Sequence, residues 1–214
     1  MFRGETMRRQ IIRSASNDTT RDRILKAAML RFSTQSYEET GLREIAADVG
    51  IDMAYVHRSF GSKEKLFYET VKAACRPDFI STDSAEEQAS ALAQGILDDR
   101  GENEIRPFDI LVHSFSSPGA AGVLRKVLAD NFIAPLLNQH PGLTEQRAAL
   151  LAAVLTGIGV MREVIRVEPL QHDKGGEVED LIARLITGLL KPDDAAACAE
   201  GTMHTSEPCY RDCG

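Results

Sequence analysis

Tryptophan is absent from the 214 residues, tyrosine occurs four times, and there are no runs rich in glycine or proline. Alanine, leucine, isoleucine and valine fill the space instead, which points to a globular helical chain rather than a linker or a low-complexity segment. No alternating pattern is long enough for a sheet. The longest uncharged run, Ala148 to Met161, is bounded by Arg147 and Arg162 and falls short of the roughly 20 residues a bilayer requires. Arg3, Arg8, Arg9 and Arg13 are not followed by an apolar stretch, so the start does not read as a secretory signal. The expected location is cytoplasmic, with no membrane partner. Also missing are a phosphate-binding glycine loop, a dinucleotide fingerprint, an HExxH helix and a nucleophile elbow. The expectation is a protein that is not an enzyme and needs no cofactor.

Cysteine is sparse. Cys75 lies in an apolar helical stretch, where a free thiol is ordinary core. Cys198, Cys209 and Cys213 share the last segment with His204. Without a CxxC pair their spacing does not define a zinc framework. The segment reads as an unstructured tail, with metal or thiol sensing as the alternative, and no metal site is assigned.

The net charge of −7 argues at first against a nucleic-acid partner. Its distribution reverses the argument. Through Cys75 there are 13 Lys and Arg against 10 Asp and Glu, whereas the remainder carries 12 against 22. A mildly basic front on an acidic body suits a head that meets phosphate and a body that stays off it.

Residues 1–18 are polar, Arg-rich and aperiodic, and read as a flexible basic arm. Thr19 or Thr20 opens a helix to about Gln35, with Ile24, Leu25, Ala28, Met29 and Phe32 at helical spacing. Thr40 is the expected cap of a short helix carrying Leu42, Ile45, Ala46 and Val49, closed by Gly50. Asp52 caps another from Met53 to about Ser59, and Ser62 caps a fourth from Lys63 to Cys75. Beyond Pro77 the spacing predicts helices over 85–99, from Pro107 to about Phe115, over 119–139 with a kink at Pro135, over 144–167, and over 177–190.

The informative stretch is Leu42 to Phe60. Two short helices joined by a tight turn must cross steeply. The crossing needs a small residue, and Ala46 is there. The turn needs a residue tolerant of positive φ, and Gly50 is there. Ile45, Val49, Ile51 and Val56 seal the contact. These requirements are met in a single register, which is the pattern of a DNA-binding helix-turn-helix.

From Thr20 to Phe67 the chain resembles the N-terminal domain of TetR-type transcriptional regulators. The resemblance rests on Arg31-Phe32 ending the first helix, on the helix-turn-helix, and above all on Phe60-Gly-Ser-Lys-Glu-Lys-Leu-Phe67. The stretch from Arg147 to Leu170 is similar to one group of TetR C-terminal domains. Departures are His57 where the family commonly has Tyr, Tyr55 where it has a smaller residue, Ser36 for Gly, and Gly41 for Ser or Thr. The resemblance implies an all-α protein: a three-helix DNA-binding head over 19–66, a C-terminal bundle for dimerisation and ligand binding over 67–191, and a tail over 192–214. It implies a repressor that leaves its operator when a small-molecule effector binds.

Position then suggests roles. The helix from Met53 lies in the major groove, presenting Met53, Ala54, Tyr55, His57 and Arg58. Tyr55 meets thymine methyls or a phosphate, and Arg58 a guanine edge or a phosphate. His57 stands where the family's phosphate-binding Tyr does. Arg43 reaches from the preceding helix, and Thr40 and Lys63 suit phosphate contacts. A head of this kind reads double-stranded operator DNA as a homodimer, one half-site per copy. Ala149, Ala153 and Gly157 form a small-residue ridge that, with Leu181, Leu185 and Leu189, makes a four-helix interface between two copies. In the resembled family the effector pocket lies inside the bundle. Here Phe79, Phe108, Phe115, Phe132 and Met161 are the expected lining, with His113, Asn131 and Arg162 to orient a ligand.

Overall fold

The computed structural model describes residues 18–75, 84–98, 105, 107–172 and 176–191. Most of the basic arm, Phe79 and the Cys/His tail lie outside them. Every regular element among the described residues is helical, and none of these helices is long and apolar enough to cross a membrane.

The head begins with α1, Thr20–Phe32, opened by a capping box. The Thr19 side chain accepts from the Asp22 amide, and the Asp22 carboxylate accepts from the Thr19 amide. This helix stops at Phe32 rather than near Gln35. The Ser33 and Thr34 hydroxyls both donate to the Leu30 carbonyl, at 2.9 and 3.0 Å, and compete with the next backbone bonds. Helix α2, Leu42–Val49, has Gly41 as its N-cap and no side-chain cap. The expected cap, Thr40, is fully buried and donates its hydroxyl to the Ser36 carbonyl at 3.1 Å. Gly50, at φ +76, ends α2, and the Ile51 amide returns to the Ala46 carbonyl at 3.0 Å. That pairing closes the last turn and sets the crossing angle.

Asp52 opens α3, Met53–Phe60, by accepting from the Ala54 amide at 2.6 Å. Ser62 opens α4, Lys63–Ala74, the same way from the Lys65 amide. Phe32 and Phe67 meet edge to face at 4.7 Å between centroids, and Tyr37 and Phe67 at 5.0 Å. The rings join Ile24, Ile45, Val49, Val56 and Phe60 in one dry core. That core continues into the body through Ile110, Ala120 and Val127.

The body holds α5, Ala85–Leu97, α6, Pro107–Ser114, and α7, Pro118–Leu128. The expected single helix to Gln139 is interrupted. A π-helical turn, Ala129–Ile133, intervenes before α8, Ala134–Gln139. Pro135 lacks an amide and its ring crowds the carbonyl four residues earlier, so the chain widens there instead of simply bending. Helix α9 runs Glu145–Gly159, passes into a second π turn, Val160–Val164, and is over by Ile165. It does not reach Val167, because Arg166 turns left-handed at φ 58 and Pro169 follows in a short 3-10 turn, Glu168–Leu170. Helix α10, Glu177–Leu190, packs between α5 and α9. The Arg147 guanidinium, at the start of α9, caps the end of α10 by donating to the Gly188 and Leu189 carbonyls at 2.5 and 3.0 Å. A second, aliphatic core forms among α5, α8, α9 and α10 around Leu92, Leu136, Leu151 and Ile186.

Candidate nucleic-acid interface and interior cavity

Helix α3 is held from beneath. Val56 and Phe60 are buried in the head core, and the Arg21 guanidinium lies 4.4 Å above the Phe60 ring. The opposite face is open. Ala54, Tyr55, His57 and Arg58 are exposed, as is Arg43 on α2, while Met53 is half-buried against the core. The Arg58 guanidinium sits 5.6 Å from the centre of the Tyr55 ring, so the two side chains project as a pair. No salt bridge among the described residues engages Arg58, and its donors remain available to a base edge or a phosphate. His57 Nδ1 lies 3.0 Å from the Gly61 carbonyl, which can only accept. That nitrogen therefore carries the proton, and Nε2 is left facing outward.

One expected phosphate contact, Thr40, is turned inward and has no exposed surface. Lys63 places its Nζ 4.3 Å above the Tyr37 ring and 3.5 Å from the Glu38 carbonyl. Burial pushes the Lys63 pKa down, against the attraction of Glu38. Both residues hold the turn around Tyr37. Burial, with Glu64 beside it, pushes the Tyr37 phenol up to about 12, so the hydroxyl stays protonated.

Sequence reasoning missed the bonds that orient α2. Arg31 grips the Asp48 carboxylate with two nitrogens, at 2.5 and 2.9 Å, and that bond raises its own pKa. Arg23 donates to the Val49 carbonyl at 2.7 Å, satisfying the end of α2. An Arg on α1 opposite an acid on α2 was the available signal.

The head meets the body at both ends of α7. At its start, the Glu38 carboxylate accepts from the Ser117 hydroxyl and from the Gly119 amide. The Ser117 bond holds the Glu38 carboxyl below the usual range. Beyond its end, the Tyr68 hydroxyl donates to Asp130 at 3.1 Å and accepts from the Asn131 amide at 3.0 Å. Lys126 closes this knot on Asp130 at 3.0 Å.

Between these ties lies a cavity of about 440 Å³. Val71, Lys72 and Cys75 of α4 form one wall, α7 and its π turn another, and α5, α6 and α9 the rest. Phe108, Phe115, Asn131 and Phe132 line it, as expected. Gly159 is needed here, because a Cβ at that position would collide with the Phe108 ring. His113, Met161 and Arg162 do not line it. His113 is exposed, Met161 is 46 % exposed, and Arg162 is buried with its Nε donating to the Leu170 carbonyl at 3.2 Å. The π turn shifts the helical phase, so Glu163 faces the cavity instead.

On the far side of the body, Ala149, Ala153 and Gly157 are exposed along α9. Leu150, Leu181 and Leu185 are each at least half exposed beside them. Leu189 is half-buried and packs partly against the second core.

Residues 24–70 match the family described as bacterial regulatory proteins, tetR family. Residues 86–190 match the tetracyclin repressor-like C-terminal domain. No curated protein matches the chain. Among solved structures, it is similar to a TetR-family regulator from Streptomyces coelicolor A3, at 23 % identity and TM-score 0.50, covering 83 % of this chain and 98 % of that one. A protein from a Rhodococcus species, described as a TetR-family transcriptional regulator, has 14 % identity and TM-score 0.58, with 87 % and 100 % covered. The multidrug binding protein EbrR, solved with imidazole, has 18 % identity and TM-score 0.54, with 84 % and 99 % covered. At these identities the likeness is one of fold.

Proposed function

The chain belongs to the TetR family of bacterial regulatory proteins, and on that premise we propose that it is a homodimeric repressor released from its operator by a small molecule bound in the body. One observation carries the release step. The cavity is walled jointly by α4, which closes the DNA-binding head, and by α7, which is tied to the head at both ends. A molecule filling that space must act on both. Occupancy then favours one head spacing over another, and two half-sites at fixed separation are no longer met together.

Tyr55, Arg58, His57 and Arg43 are the residues assigned to DNA. Tyr55 and Arg58 project together and suit base edges, while His57 and Arg43 suit the backbone. Met53 and Ala54 begin the helix that enters the groove. Thr40 supports the surface from within. The exposed stripe on α9 and α10 supports dimerisation, because the small residues allow two copies to approach closely.

The test is fluorescence anisotropy on an operator selected from a random DNA library. Tyr55→Ala should keep the fold and lower specific affinity by roughly 1–3 kcal/mol, relaxing preference at one position per half-site. A Cβ at Gly157 meets nothing within 4 Å in the single chain, so Gly157→Arg should fold and yet be monomeric by light scattering. Unchanged operator affinity in the first variant moves the DNA surface elsewhere, and a dimeric second variant moves the interface.

A further inference from the structure

We infer that the cavity takes an amphipathic organic monoanion: an aromatic or aliphatic body bearing one carboxylate or similar acid. This rests on the reading of the cavity as the effector site. Its walls are apolar and carry three phenylalanine rings, Phe108, Phe115 and Phe132. Its volume of about 440 Å³ suits one compact organic molecule. The charges that line it are unequal. Lys72 on α4 and Arg125 on α7 stand on helices that pack together, and both are exposed. Neither makes an ion pair among the described residues, whereas the neighbouring Lys126 is committed to Asp130 at 3.0 Å. Among the described lining residues the acid is Glu163, and it comes from the turn after α9 rather than from the α4–α7 pair.

Among the described residues, the lining therefore carries two cations, Lys72 and Arg125, against one acid, Glu163. A lipophilic cation would meet two like charges beside low-dielectric walls. A monoanion would neutralise the excess and accept charge-assisted bonds from both cations, with Arg125 able to hold a carboxylate through two parallel N–H donors. An acid seated there bridges a helix of the head to a helix of the body.

The full-length protein is titrated with two fluorescent probes of one skeleton, 1-anilinonaphthalene-8-sulfonate and the uncharged N-phenyl-1-naphthylamine. The sulfonate should bind the more tightly. The Lys72→Gln/Arg125→Gln double variant changes two exposed side chains, so folding is not at stake. It should weaken the sulfonate about tenfold or more and leave the neutral probe within about twofold. Decanoate should displace the sulfonate where decan-1-ol at equal concentration does not. Ala121→Phe, which fills the cavity, should remove both probes, placing them inside rather than on the exposed leucine stripe. A double variant indistinguishable from wild type, or a neutral probe preferred by wild type, overturns the proposal. Operator affinity is read in parallel with decanoate. An acid that binds through Lys72 and Arg125 without releasing DNA refutes the effector reading and leaves the ligand class standing. Release by a neutral or cationic compound alone refutes the class and leaves the effector reading standing.

Discussion

The head and the body are filled differently. In the head Arg23 holds the Val49 carbonyl, Thr40 the Ser36 carbonyl and Arg31 the Asp48 carboxylate. Three aromatic rings fill the space between. On the outward face of α3, Tyr55 and Arg58 face each other instead. In the body the second core is aliphatic, two helices pass into π turns, and a cavity opens between α4, α7 and α9. A surface that must match base edges gains from rigidity. A bundle that must convert occupancy into motion needs room and more than one packing arrangement. The two regions share a core through Ile110, Ala120 and Val127, so strain in one is felt in the other.

The contrast is broken most severely by Val56→Asp. Val56 is 1 % exposed at the crossing of α2 and α3, and burying an unpaired carboxylate there should cost more than about 4 kcal/mol. Circular dichroism should show loss of head helix and anisotropy should show no operator binding. Enlarging a side chain separates the two regions more finely. Ala28→Leu, in a site with no exposed surface, should lower stability by roughly 1–3 kcal/mol, whereas Ala121→Leu grows into the cavity and should cost under about 0.5 kcal/mol. Equal losses in urea melts would remove the distinction.

A smaller effect tests the tie between the regions. Tyr68→Phe deletes the hydroxyl that bonds Asp130 and Asn131, at about 0.5–1.5 kcal/mol of stability. Its telling readout is linkage: effector affinity measured by calorimetry with and without operator should differ by a smaller factor than in wild type. The smallest effect is acid dependence at Glu38. Its folded pKa is depressed, first by the Ser117 hydroxyl, below the ordinary value of 4.5. The contribution is complete above that value and is lost as pH falls through the folded pKa. Wild type should be slightly more stable than Glu38→Gln at neutral pH, and the gap in Tm should close in acid.

Where the chain speaks locally, the sequence was legible. Asp52, Ser62, Ser117 and Thr144 each accept from an amide two or three residues on, and Gly50 ends α2 at positive φ. Such choices depend on a handful of neighbouring residues. Thr40 was misjudged because a threonine can serve either the amides ahead of it or the carbonyl four residues behind, and burial decided for the second. Tyr37, which lies under the Lys63 ammonium, is distant from it in sequence, so that contact was not legible. Glu163 faces the cavity in place of the expected Arg162 through a π turn that no composition signal announces. Pro135 did mark a disturbance, but not its form.

The two π turns also bear on how the chain can change in length. A π turn is an α-helix holding one residue more than its pitch requires. Removing a single residue between Ala129 and Ile133 would restore the ordinary helix, and because the π turn already absorbs the extra residue, the helices on either side would keep their phase while the residues of the turn itself changed place. Asn131 and Phe132 would then leave the cavity wall, and Tyr68 would lose its donor, while the cores on either side stayed intact. The same deletion between Val160 and Val164 would withdraw Glu163. Gene copies differing by one codon in either place would thus encode proteins with the same two cores but differently lined cavities.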